Sequence, residues 1–132
     1  MINIDSKSSR PIYEQIMNEI KEDILKGILK AGDRLPSVRE MASSIPANPN
    51  TVSRAYMELE REKVIETVRG KGTFISSSYK PKIEEDKIDK LKDDIKKIII
   101  DSYYLGIKKD QIISIMDEFY RELRLKERGD KY

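Results

Sequence analysis

Five isoleucines near the start of the chain stand four residues apart: Ile12, Ile16, Ile20, Ile24 and Ile28. Glu and Lys fill many of the positions between them, and apolar residues at this interval form a stripe along one face of an α-helix. The spacing therefore predicts an amphipathic helix over residues 11–28. Ser8 and Ser9 are its candidate N-terminal caps, and Gly27 and Gly32 indicate where it ends.

Two shorter helices with a tight connection are predicted next. Ser37 is followed three residues later by Glu40, the spacing of a capping box, which predicts a helix over residues 38–44. Asn48 or Asn50 can cap a second helix that runs to about residue 62. Two short helices joined in this way form a helix-turn-helix. The apolar face of the second helix consists of Val52, Ala55, Tyr56 and Leu59.

A β-hairpin is predicted after the second of these helices. Residues 64–68 and 73–75 are mostly apolar and β-branched, which favours two short strands. A turn with two glycines and two cations separates them: Arg69-Gly70-Lys71-Gly72.

A linker follows the hairpin. Residues 76–81 contain three serines and a proline, a composition typical of a connection between domains, and we place the boundary near Ser78. We therefore expect a mainly α fold with a small β-hairpin wing. It consists of a winged helix-turn-helix domain over residues 1–78 and a two-helix tail over residues 79–132.

The tail has the pattern of two helices. One is predicted from about residue 84 to about residue 105, where Gly106 breaks it, and Asp110 is the candidate cap of the next. The two helices should pack as an antiparallel hairpin. Two helices alone cannot bury both apolar stripes, so we expect a homodimer in which a second copy covers them. The predicted dimerisation seam consists of Ile88, Leu91, Ile95, Ile98, Ile112, Met116, Phe119 and Leu123.

The composition excludes several kinds of chemistry. The chain has neither Cys nor His, which removes thiolate nucleophiles, the usual zinc ligands and the commonest general base, so we expect no enzyme, metal or cofactor. The N-terminus lacks a signal-peptide pattern and the longest apolar run is short, so we expect a cytoplasmic protein without a membrane partner. Tyr103 and Tyr104 are expected to pack at the dimer interface or on the winged helix, and the alternative interpretation is that they line a pocket for an unidentified small-molecule effector.

An acid-free window spans residues 41–57. Charged residues make up 38% of the chain, yet neither Asp nor Glu occurs in this window. A surface that approaches a polyanion excludes carboxylates, whereas helix capping does not require their exclusion. We therefore expect the window to face DNA, with Asn50 and Thr51 at base edges. The candidates for contacts with either bases or phosphates are Asn48, Ser53 and Arg54.

Other candidates flank this window. Arg34 and Arg39 precede it, and each is either a DNA contact or an ordinary surface cation. Arg69, Gly70 and Lys71 at the hairpin tip are candidates because glycine lets the backbone come close to a sugar-phosphate groove. The alternative interpretations are that the hairpin tip is a solvated turn and that the polar residues of the window only cap the helix.

Four segments of the first domain carry a family resemblance. They are Pro-Ile-Tyr-Glu-Gln-Ile at 11–16, Gly-Asp-Arg-Leu-Pro-Ser-Val-Arg-Glu at 32–40, Asn-Pro-Asn-Thr-Val-Ser-Arg-Ala-Tyr at 48–56 and Gly-Lys-Gly-Thr-Phe at 70–74. In their order and spacing they resemble the GntR family of bacterial transcription regulators. The short helical tail is similar to that of the YtrA-like subfamily.

The resemblance implies DNA contacts by Arg39, by the start of the second helix of the helix-turn-helix and by the wing tip. It also implies dimerisation through the tail helices and, for many members, control of operons for ABC-type transporters. We therefore expect a homodimeric repressor that binds a palindromic operator in double-stranded DNA, with half-sites ~34 Å apart. The alternatives are a protein–protein adaptor without DNA binding and, last, part of an enzyme with a related head domain.

Two positions depart from the family pattern. Pro46 stands where the family usually has a turn glycine, and proline cannot adopt a positive φ. Lys63 replaces a common glycine after the second helix, where a left-handed residue costs on the order of 1 kcal/mol. Neither change removes a side chain that is expected to face DNA.

Overall fold

Helix α1 spans Ile12–Leu25 in a computed structural model that describes residues 2–125. The predicted caps are wrong: Pro11 is the N-cap residue, and the Ser8 hydroxyl accepts a hydrogen bond from the Arg10 backbone N–H, outside the helix. Gln15 holds the preceding segment instead, since its side chain bonds the backbone of Asp5 and Arg10. The helix ends earlier than the isoleucine pattern suggests because the chain reverses at residue 27.

Helices α2 (Val38–Ser44) and α3 (Pro49–Arg61) form the predicted helix-turn-helix. The capping box is present: the Glu40 N–H donates to the Ser37 hydroxyl over 3.1 Å and the Ser37 N–H donates to the Glu40 carboxylate over 3.0 Å. Between the helices, the Ile45 carbonyl accepts from the Ala47 N–H over 2.8 Å. Pro46 therefore occupies the centre of a three-residue turn that needs no left-handed residue.

A three-stranded antiparallel sheet with the order β1-β3-β2 completes the first unit. Strands β2 (Ile65–Val68) and β3 (Gly72–Ile75) are the predicted hairpin. Strand β1 (Arg34–Leu35) was not predicted, because two residues cannot display a strand periodicity. It pairs with β3 so that Arg34 lies opposite Phe74 and Leu35 opposite Thr73. The sheet therefore joins the segment before α2 to the base of the hairpin.

The core of the first unit lies between α1, α3 and the sheet. The largest fully buried side chains come from all three of these parts: Ile16, Ile20, Val52, Leu59 and Ile65. Full burial of such side chains contributes roughly 1.5–3 kcal/mol each, so this core stabilises the arrangement of α3 relative to α1 and the hairpin.

The chain divides into two compact units after residue 79. In the second unit, α4 spans Glu85–Tyr104 and α5 spans Lys109–Glu122. Asp110 is not the cap of α5, since it lies in the first turn and the Gln111 side chain accepts from the Lys108 N–H instead. No helix within residues 2–125 combines the length and the apolar character needed to cross a bilayer.

The two tail helices differ from the sequence expectation in their packing. Among the described residues they are joined by a short turn but do not pack along their length as an antiparallel hairpin. The predicted seam is consequently exposed: Leu91 retains 57% and Phe119 54% of its accessible surface. The apolar stripes of α4 and α5 have no further helix or sheet packed on them among the described residues. Formation of the two helices therefore leaves these side chains in solvent.

The four longer helices described end in one motif. After each C-cap, the next residue has a positive φ and its N–H bonds a carbonyl three residues back, while the following N–H bonds a carbonyl five residues back. This is the Schellman arrangement, which favours glycine. The left-handed residues are Gly27, Lys63, Gly106 and Arg124.

Candidate DNA-binding face

The N-terminus of α3 is held by Asn48. Its side-chain oxygen accepts from the Thr51 N–H over 3.0 Å and from the Thr51 hydroxyl over 3.3 Å. Pro49 occupies the first helical position, where a missing N–H costs nothing. Asn48 is therefore a helix cap, as one sequence interpretation held, while its exposed amide nitrogen remains available for a further contact.

A ridge of exposed side chains runs along α3 on the side opposite to the core. Its members follow the spacing i, i+4, i+7 and i+11: Asn50, Arg54, Met57 and Arg61. We call these four residues the outer ridge of α3. The sequence analysis missed Met57 and Arg61, although the complementary spacing of the buried residues 52, 55, 56 and 59 could have identified them. Met57 is an exposed apolar side chain, with 66% of its surface accessible.

Thr51 and Ser53 lie on the two sides of this ridge and are half-buried. Because the Thr51 hydroxyl donates to Asn48, its methyl group is the part left for contact with a thymine methyl. Arg61, at the far end of the ridge, forms an ion pair with Glu58 on the same helix.

Arg54 stacks on an aromatic ring of α1. Its guanidinium carbon lies 3.9 Å from the centroid of the Tyr13 ring, within the range of a cation–π contact. Tyr13 was not a candidate in the sequence analysis, because nothing in the local pattern of α1 indicates that its ring meets α3. Tyr13 and Arg54 share a surface cleft with Asn48, Asn50 and Thr51.

Arg39 and Arg34 lie in different parts of the first unit. Arg39 is exposed in the first turn of α2. Arg34 belongs to β1, and its guanidinium lies over Gly72 so closely that a Cβ at Gly72 would meet the Arg34 Nε at 2.9 Å. A Cβ at position 72 would displace the flexible Arg34 side chain, and the φ of 123° at Gly72 also favours glycine. Arg34 lies at the base of the wing.

The wing tip consists of Arg69, Gly70 and Lys71, all exposed. The Lys71 N–H donates to the Val68 carbonyl over 2.9 Å, which closes a four-residue turn. Gly70 adopts φ 78° in this turn, a conformation that glycine reaches without strain. The turn thus carries two cationic side chains, one on either side of a glycine that has no side chain.

Two pKa shifts report on the packing of the helix-turn-helix. Hydrogen bonds from the Ser37 backbone and hydroxyl lower the pKa of the Glu40 carboxyl, and the charge of Arg34 adds to this effect. Burial raises the pKa of Tyr56 to about 12, with a smaller contribution from the charge of Glu40. The Tyr56 hydroxyl donates to the Pro36 carbonyl over 2.7 Å, so α3 is fastened to the residue that precedes the cap of α2.

In the tail, an apolar cleft lies where α4 turns into α5. Tyr103 lines it together with Ile99, Ile112 and Met116, whereas the ring of Tyr104 packs edge-on against Tyr103 at 5.3 Å. The remaining seam residues lie exposed or half-buried along the two helices: Ile88, Leu91, Ile95, Ile98, Phe119 and Leu123.

Together, a helix-turn-helix, a wing and an exposed α3 face without carboxylates at its N-terminal end define a DNA-binding transcription regulator of the winged-helix class. The chain belongs to the GntR family of bacterial regulatory proteins, whose family model matches residues 12–75. This family consists of transcription regulators, and transcription regulators are not a class of enzymes.

Several known proteins are similar over nearly the whole chain. The HTH-type transcriptional repressor YtrA of Bacillus subtilis is 50% identical over 131 residues, which cover 99% of this chain and 98% of that protein. A transcriptional antiterminator from Listeria monocytogenes EGD-e is 42% identical, with a TM-score of 0.83 and 99% and 98% of the two chains covered. YtrA from Sulfolobus acidocaldarius, a GntR-family transcription factor, is 34% identical, with a TM-score of 0.53 and 93% and 99% covered.

Proposed function

We propose that this protein is a repressor that binds a palindromic operator as a homodimer. The observation that carries the proposal is the outer ridge of α3, which is exposed and whose first three members lie in a segment without carboxylates. A protein surface that meets the phosphate backbone gains affinity from cations and loses it from acids. Had the fold buried this ridge in the core, the segment would have been unable to reach DNA.

In the proposed complex, the N-terminal half of α3 enters the major groove. Asn50 reads adenine through its amide and Thr51 meets a thymine methyl, while Arg54 contacts a base or a phosphate. Arg39 at the start of α2 contacts the backbone. The wing-tip residues Arg69, Gly70 and Lys71 approach the adjacent groove, where a small backbone and two cations are favourable, and Arg34 at the base of the wing adds a further cation.

The tail supplies the interface through which we propose that two chains pair. Its seam of Ile, Leu, Met and Phe side chains is exposed in a single chain, and an exposed apolar surface of this extent is typical of a protein interface. A second copy offers the same seam, which suits a two-fold interface. A two-fold dimer carries two α3 helices, so its operator should be a palindrome with half-sites ~34 Å apart.

The comparisons support repression. The Bacillus subtilis relative, which matches the chain from end to end, is described as a repressor. We extend that role to this protein, and the resemblance to YtrA-like regulators favours an operon for an ABC-type transporter as its target.

Selection of bound sequences from a random DNA pool with the purified protein tests the proposal. We expect enrichment of an inverted repeat whose half-site spacing matches one helical turn. Binding of the selected site should place two chains on one duplex, measured by native mass spectrometry. A direct repeat, or a single chain on each duplex, would contradict the two-fold dimer.

Two substitutions then separate the roles of individual residues. Asn50→Ala should reduce the preference for the correct base by roughly 1–3 kcal/mol, whereas Arg39→Ala should weaken selected and random DNA alike. Gel shifts on both kinds of DNA measure this difference. The adaptor hypothesis predicts instead that no DNA is retained even at ~50 mM salt, where phosphate contacts are strongest.

A further inference from the structure

We propose that Tyr13 is a positioning residue that presents the guanidinium of Arg54 to DNA. The inference depends on the DNA binding proposed above and assigns a role to a residue of α1, outside the helix-turn-helix and the wing. The observation behind it is the stacking distance of 3.9 Å between the Arg54 guanidinium carbon and the centroid of the Tyr13 ring.

The two arginines of the outer ridge have different partners. Arg61 is paired with the carboxylate of Glu58. Arg54 has no carboxylate partner among residues 2–125, and its partner is the face of the Tyr13 ring. Arg54 is also the arginine nearer to the N-terminus of α3, which is the end that approaches base edges in a helix-turn-helix.

A ring and a carboxylate hold a guanidinium in different ways. A carboxylate accepts hydrogen bonds from the N–H groups of the guanidinium and neutralises its positive charge. This ion pair must therefore be broken before the guanidinium can bind a phosphate or a base. An aromatic ring attracts the flat face of the guanidinium. The N–H donors, which lie at the edges of the guanidinium plane, stay free. Stacking therefore limits the conformations of Arg54 while keeping its charge and its donors available.

The environment of Tyr13 fits this role. Tyr13 is half-buried and packs against the core of the first unit, so its ring is held in place rather than free in solvent. Its hydroxyl lies at the ring edge and donates to the Glu14 carboxylate over 3.3 Å, away from the face that Arg54 covers. The contact with Arg54 therefore requires the ring and not the hydroxyl, which makes Tyr13→Phe a matched control.

A double-mutant cycle on the selected operator tests the proposal. Affinity is measured by fluorescence anisotropy for the wild type, Tyr13→Phe, Tyr13→Leu, Arg54→Ala and the double variant Tyr13→Leu/Arg54→Ala. We expect Tyr13→Leu to weaken binding about three- to fivefold when Arg54 is present and to have no effect in the Arg54→Ala background. Tyr13→Phe should bind as the wild type does.

Two results of the cycle would overturn the proposal. An equal loss from Tyr13→Leu in both backgrounds would assign Tyr13 a contact or a structural role of its own. A loss in Tyr13→Phe as large as in Tyr13→Leu would assign the effect to the hydroxyl. Wild-type protein that selects no DNA would instead refute the proposed function, and this inference with it.

The stack itself can be tested without DNA. In the free protein, the ring current of Tyr13 should shift the Arg54 Nε–H resonance upfield, and the shift should persist in Tyr13→Phe and vanish in Tyr13→Leu. Absence of the shift in the wild type would overturn the proposal even if DNA binding is intact.

Discussion

The helices α1 and α4 carry the same kind of apolar stripe but end in opposite environments. In α1, Ile16 and Ile20 are fully buried against α3 and the sheet. In α4, Leu91 and Ile95 are also four residues apart and remain about half exposed. The periodicity of a sequence therefore specifies which face of a helix is apolar, and the neighbouring elements decide whether that face is covered.

This difference separates a unit that completes its own core from one that does not. In the first unit, the apolar face of α3 packs against α1, α2 and β2, whereas α4 and α5 present their stripes without a covering layer among the described residues. We expect the first unit to derive its stability from its own packing and the second to derive it from association. Three predictions test this contrast, and a fourth tests the left-handed helix ends.

The largest effect is expected from Leu59→Ala in the fully buried core. The substitution should lower the free energy of unfolding by about 2–5 kcal/mol, because it removes buried methyl groups and leaves a cavity. Urea denaturation of dilute protein measures it. Leu91→Ala in the exposed tail stripe is the matched control and should cost little. An equal cost at both positions would refute the contrast.

The second prediction concerns two isoleucines on opposite faces of α4. Ile98 lies on the seam and Ile100 on the far side, with exposures of 55% and 49%. Ile98→Asp should weaken self-association by about 2 kcal/mol or more because it places a charge in a desolvated interface. Ile100→Asp should leave self-association unchanged. Analytical ultracentrifugation over a range of concentrations distinguishes them, and equal effects would argue against the seam.

The third prediction compares buried and exposed tyrosines. Tyr56→Phe should destabilise the protein by about 1 kcal/mol, because the Pro36 carbonyl loses its hydrogen bond. Because the pKa of Tyr56 is raised to about 12, its contribution is fully present below its ordinary pKa and is lost as pH rises through 12.

Thermal unfolding at neutral and alkaline pH measures this effect. The wild type should lose stability above pH ~10 more steeply than Tyr56→Phe. Tyr104→Phe in the exposed part of the tail should be as stable as the wild type at neutral pH. A Tyr56→Phe variant that follows the wild-type pH profile would show that another group controls alkaline unfolding.

The smallest effect is expected at the left-handed ends of α3 and α5, where Lys63 and Arg124 take the place that Gly27 and Gly106 have in the other two helices. Lys63→Gly should raise stability by up to about 1 kcal/mol, because glycine adopts φ 64° without a steric penalty. The reverse change, Gly27→Lys, should lower stability by a similar amount. This account would be contradicted if the two substitutions changed the melting temperature in the same direction.

The sequence predicted those parts of the fold that depend on local rules. The capping box of Ser37 and Glu40 and the helix over residues 38–44 are confirmed, because capping depends on residues within one turn. Lys63 stands where the family pattern has a glycine, and its φ of 64° agrees with the left-handed conformation considered there. Strand β1 was missed because it exists only through its pairing with β3.

In the candidate site, too, local features could be predicted from the sequence and contacts between distant segments could not. Residues near the N-terminus of α3 could be named from their types and from the absence of acids nearby. The stack of Arg54 on Tyr13 could not, because it joins two helices that are far apart in sequence. Position 57 was overlooked because methionine is usually a core residue, whereas here the folded helix leaves it in solvent.

Pairing through the uncovered stripe of the tail, as we propose, would make the amount of active regulator depend steeply on the number of chains in the cell. When chains are scarce compared with the dissociation constant of the pair, doubling their number raises the number of pairs about fourfold. Synthesis and degradation of the regulator would then control its target genes more steeply than in proportion to protein abundance, before any inducer is considered.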